Sequence, residues 1–180
     1  MANCRFDIPT YSELGCDLEG GRVVAFALVD KDHTLNNPDQ STEWLNASYD
    51  SDVLIFKEVS GSYSKASPNE IPGKGSQQVR VVGRDHELSM MIEGVKENVD
   101  FWNAVNKSSN YRAAFVTGSD YQSTSKTNSI LFVTDVTVSV DAGVATPEDL
   151  NGITQWEVSV KWSDLNIPLA YDVPSSVFED

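Results

Sequence analysis

Between residues 154 and 163 the chain alternates strictly: Trp156, Val158, Val160 and Trp162 are separated by Glu157, Ser159 and Lys161. A period of two belongs to an extended strand with one buried face, because successive side chains leave a pleated backbone on opposite sides. Val136, Val138 and Val140 alternate in the same way with Thr137 and Ser139 inside 129–140, and 111–117 is rich in aromatic and β-branched residues. Three half-buried antiparallel strands are predicted there. Nearer the N-terminus, 22–30 is an apolar run bounded by Gly20-Gly21 and Asp30-Lys31-Asp32, which predicts a buried strand. Residues 53–59 predict another, and 77–82 and 87–93 a pair turning at Gly83-Arg84-Asp85.

The period changes within 97–107. Val99, Trp102, Ala104 and Val105 fall at helical spacings there, with Glu97 and Asp100 at the start and Lys107 at the end, matching the helix dipole. A shorter helix is expected through Trp44, Leu45 and Ala47, with Ser41 or Thr42 as its cap. Residues 31–40 read as a loop turning at Asn36-Asn37-Pro38. Residues 60–76 are dense in Ser, Gly, Pro and Asn and predict a long loop or an extended hairpin arm, holding Lys65 and Lys74. The tail, 165–180, contains Pro168 and Pro174 and is expected to extend over the surface or onto a neighbour. The whole predicts a single mainly-β domain over 1–180: an antiparallel β-sandwich, or a barrel, with one flanking α-helix.

Charge narrows the function. Asp and Glu number 27 against 13 Lys and Arg, a net −14 at pH 7. Such a surface repels phosphate backbones, so tight binding of DNA or RNA is not expected. Residues 1–7 show no export signal and no apolar run is long enough to span a bilayer, so a cytosolic protein is expected. Cys4 and Cys16 are too few for a disulfide framework, and reduced thiols are expected.

No catalytic, cofactor-binding or metal-ligating set emerges. Gly73-Lys74-Gly75-Ser76 lacks the upstream glycine of a phosphate loop, and Asp30, Asp32 and Thr34 begin like a calcium loop that Leu35 and Ser41 then fail to complete. Asn46-Ala47-Ser48 and Asn106-Lys107-Ser108 match the glycosylation pattern without a secretory route. His86, between Asp85 and Glu87, has no nucleophile signature near it and reads as a turn residue. Trp44, Trp102, Trp156 and Trp162 suggest a sugar-stacking platform, but the strand and helix patterns favour core packing. A β-sandwich glycan-binding module is the alternative function.

The order of elements over about residues 52–172 resembles the tail tube proteins of tailed bacteriophages: the segment 60–76, the helix around Phe101-Trp102, the strands 129–140 and 154–163, and the Pro-containing tail. Cys4-Arg5-Phe6-Asp7-Ile8-Pro9, Cys16 and Phe101-Trp102-Asn103-Ala104-Val105 also look like virion proteins of phages that infect Bacteroides-type hosts. The resemblance implies a non-enzymatic virion protein, assembled in the host cytoplasm, that forms rings, six-membered in the tube, stacking into a conduit for DNA; a neck or other tail ring is the variant. It implies homo-oligomeric partners, other tail or neck proteins, no membrane and no cofactor. Lys65, Pro68, Pro72, Lys74, Pro168 and Pro174 are then the candidate contacts between subunits.

Overall fold

The structure is a computed structural model that describes residues 21–75, 79–118, 129–146 and 152–178. The elements run β1 (Arg22–Asp30), α1 (Ser41–Tyr49), β2 (Val53–Phe56), β3 (Ser60–Tyr63), β4 (Ser67–Pro72), β5 (Val79–Ile92), α2 (Val99–Val105), β6 (Tyr111–Gly118), β7 (Ile130–Val133), β8 (Ser139–Ala145), β9 (Gln155–Asp164) and β10 (Leu169–Asp172). Every strand pairing is antiparallel, and the order across the sheet is β10-β7-β6-β1-β3-β5-β9-β8, with β2 added beside β1 and β4 beside β5. The fold is therefore mainly β and antiparallel, as the alternating segments predict. A single bridge joins Tyr111 to Val138, but the sheet stays open and is not a barrel.

The sheet folds over on itself, as a sandwich does, and has apolar packing on both faces. In the interior, Phe26, Leu28 and Phe115 meet Leu88, Val158 and Trp162 across the gap, with Trp102 and Val105 of α2 at the side. On the back, Ala27, Val29, Ala114 and Leu131 carry Trp44 and Ala47 of α1 together with Val177 and Phe178. β1 contributes to both layers, which is why its sequence is apolar without alternating. In β9 the alternation maps onto burial: Trp156, Val158, Val160 and Trp162 are buried while Glu157 and Lys161 face solvent.

Helix α1 is held by contacts other than the expected cap. Gln40 occupies the cap position with no side-chain bond, and the Ser41 hydroxyl donates instead to the carbonyl of Ser175 at 2.7 Å. The loop ahead of it is fixed by Glu43, whose carboxylate accepts the N–H groups of Asn36 and Asn37, and by the Trp44 indole, which donates to the Pro38 carbonyl at 2.7 Å. In α2, Trp102 and Val105 are buried as expected, but Val99 and Ala104 are exposed and Lys107 lies beyond the helix.

Four segmentations differ from expectation, each for a local reason. The strand 53–59 ends at Phe56 because Glu58 adopts φ 56°, a left-handed conformation that turns the chain into β3. No turn forms at Gly83-Arg84-Asp85; β5 continues through it, with a register shift against β4 at Val82, since strands on both sides supply partners. The run 129–140 divides because the buried Thr134 hydroxyl accepts the N–H of Ala113 at 2.9 Å and donates to the carbonyl of Val136 at 3.1 Å, sending β8 to the far edge of the sheet. The tail folds back onto its own chain: β10 pairs with β7, and Val173, Val177 and Phe178 are buried.

Candidate functional site: a basic arm on an acidic body

β5 is fourteen residues long and outruns its neighbours. It pairs with β9 from Arg84 onward and with β3 from Leu88 onward, whereas Val79 to Gly83 pair with β4 alone. β4 and the start of β5 thus form a two-stranded arm projecting from the sheet. The expected loop over 60–76 is instead β3 and β4, joined by a short connection; residues 76–78 lie outside the described residues. Pro68 and Pro72 lack the N–H that a further strand would need, which confines β4 to an edge.

Every residue of β4 is exposed, and Ile71, Val79 and Val82 are left 44%, 50% and 49% accessible. A two-stranded ribbon with both faces wet is marginal in isolation, so apolar side chains at this position call for a covering surface. The arm also differs in charge from the remainder. Residues 67–83 hold Lys74 and Arg80 against Glu70, and the root adds Lys65 and Arg84 against Asp85, leaving nine cations and 25 carboxylates elsewhere in the chain.

The root of the arm is tied down by a buried, hydrogen-bonded ring stack. His86 is 1% exposed and lies nearly parallel to Trp162, with ring centroids 5.1 Å apart, and to Tyr63 at 6.2 Å. Its Nε2 contacts the Asp164 carbonyl at 3.3 Å and its Nδ1 the Tyr63 hydroxyl at 2.7 Å. A carbonyl only accepts, so the neutral ring carries its proton on Nε2 and Tyr63 donates to Nδ1. Burial pushes the Tyr63 phenol above its ordinary pKa. On the outer face Asp85 accepts from the Ser163 hydroxyl and from Asn69, whose amide is 3.0 Å away, and these bonds hold its carboxyl below the usual range. Lys161 pairs with Glu87 at 3.2 Å.

This arrangement reverses the reading of His86 as a turn residue: it is a buried mid-strand residue whose ring nitrogens are both engaged. Asp85 and Glu87 bond to outer-face partners rather than to the ring. A cleft of about 490 Å³ beside it is lined by Ser64, Lys65, Asp85, Glu87, Lys161 and Ser163, and its walls include the Lys161–Glu87 pair. Among the described residues, no three His, Cys, Asp or Glu side chains converge as metal ligands, and no helix is long and apolar enough to cross a membrane.

Of the candidate contacts, Lys65, Pro68, Pro72 and Lys74 are exposed on the arm or its root. Pro168 and Pro174 are buried within the chain's own fold, because the tail that carries them packs beside β7 and α1. All four tryptophans are also buried, which removes them as a stacking platform; among the described residues, Tyr49 is an aromatic left 90% accessible. Cys4, Cys16 and the N-terminal segment 1–20 lie outside the described residues. Residues that pattern reading missed are Arg80, Val79 and Val82 of the arm, which an alternating strand segment does not distinguish from a sheet interior. No protein-family model matches the chain, and no curated protein matches its sequence.

Proposed function

We propose that the protein is a virion structural subunit whose copies join into rings, six-membered in the favoured form, that stack into a tail tube carrying DNA. The observation that carries this reading is the arm: a basic ribbon with exposed Ile71, Val79 and Val82, projecting from an otherwise acidic domain. Such an element is stabilised when it is laid on another surface, and opposite charge favours a second copy as that surface. Contacts between unlike faces of identical subunits propagate into rings or filaments. Carboxylates lining the resulting channel repel phosphates, so DNA slides without specific binding. Other tail or neck proteins are the further partners, and a neck ring is the close variant of the same reading.

Sedimentation velocity and negative-stain microscopy of the full chain test it. Rings or tubes that appear with rising concentration are the expected result. A monomer that persists at high concentration refutes it.

A further inference from the structure

We infer that the arm of one copy seats in a hollow of the next, the hollow lined by Leu28, Asp30, Asp52, Leu54, Phe101 and Tyr111. This rests on the assembly reading above and names the surface that receives the arm. The hollow measures about 360 Å³. Its lining mixes Leu28, Val53, Leu54 and Phe101 with Ser48, Ser51 and two carboxylates, Asp30 and Asp52, the latter bonded to His33 at 3.0 Å, and Leu54 is 44% exposed. Tyr49, the most exposed large apolar side chain among the described residues, follows the lining residue Ser48 directly. One face of the arm presents the complementary pair: exposed Ile71 lies directly across from Arg80.

Backbone geometry points to the same place. β2, which contributes Val53 and Leu54 to the hollow, pairs with β1 on one side and lies off the main strand path, leaving an outer edge for an incoming strand. The edge strand β8 is plugged: the Asn106 amide donates to the carbonyl of Ala142 at 2.9 Å and accepts its N–H at 2.8 Å. An arm cannot fill the hollow of its own chain. The hollow opens where Asp30 pairs with Tyr111, at the end of β1, whereas β3, which leads into the arm, meets β1 at Val23. Seven residues of strand, about 23 Å, separate those points, and no arm residue lines the hollow.

Cysteine cross-linking in the full chain tests the inference, with Cys4 and Cys16 changed to Ser. Ile71→Cys combined with Leu54→Cys, oxidised under assembling conditions, is expected to give a ladder of covalent trimers and larger species. Either substitution alone gives dimers at most. Arg80→Asp is expected to weaken assembly about tenfold, and adding Asp30→Arg to restore it, with circular dichroism confirming that each variant folds. A ladder from Ile71→Cys with Leu169→Cys on the β10 edge, or no ladder from the first pair while the parent chain still assembles, overturns the hollow and leaves the assembly reading standing. A parent chain that never assembles overturns both.

Discussion

Removing one oxygen atom tests whether the arm root is as dry and as fully bonded as its geometry implies. In Tyr63→Phe the ring keeps its packing against Phe115 and Trp162, but Nδ1 of His86 loses its donor. His86 is 1% exposed, so the orphaned nitrogen stays out of water. A buried acceptor left without a partner costs about 1–3 kcal/mol, and about 2 kcal/mol is the expectation here. For a domain of this size that lowers Tm by roughly 4–8 °C. Urea unfolding followed by tryptophan fluorescence reads the change directly. Pairing Tyr63→Phe with His86→Leu completes a double-mutant cycle, and a coupling of about 1–2 kcal/mol is expected because the second change removes the orphan. A single-mutant cost under about 0.5 kcal/mol, with no coupling, refutes the bonded, water-free root.

Other outcomes follow from separate parts of the molecule. Phe178→Ala strips the edge-on contact with Trp44, at a centroid distance of 5.0 Å, from a buried cluster; a loss of about 3–5 kcal/mol in denaturant unfolding is expected. Gly61→Ala places a methyl group 2.6 Å from the Ser89 carbonyl and 2.8 Å from Met90 Cβ, so β3 must shift between β1 and β5, lowering stability by about 1–3 kcal/mol. Asn106→Leu unplugs β8 and leaves both backbone groups of Ala142 without their amide partner; greater aggregation by light scattering is the expected readout. Ser163→Ala removes the first of the bonds holding the Asp85 carboxyl low, so its NMR titration midpoint moves up toward the ordinary value. With that pKa depressed in the fold, the contribution of Asp85 to stability is present above the ordinary carboxylate range and fades as pH falls through it. The raised Tyr63 phenol works in the opposite sense: stability is full below about pH 10 and declines above it, as the unfolded chain ionises first.

Local pattern carried a definite share of this structure. The alternation of Trp156, Val158, Val160 and Trp162, the apolar run of β1, the Trp102–Val105 pair of α2 and the acidity of the chain are all properties of neighbouring residues or of composition. They determine element type and the mainly-β class because side-chain period and burial are linked by backbone geometry. Pairing partners are another matter. Whether Gly83-Arg84-Asp85 turns or continues as strand depends on β4 and β9 lying alongside, and whether Thr134 ends a strand depends on the Ala113 N–H that its hydroxyl meets. The burial of His86, Pro168 and Pro174 likewise comes from segments distant in the chain. Sequence by itself determined most of the strands outside 60–76 and the net acidity of the chain; tertiary structure decided where strands continue, divide or stand clear of the sheet, because pairing and exposure are properties of the neighbours a strand acquires.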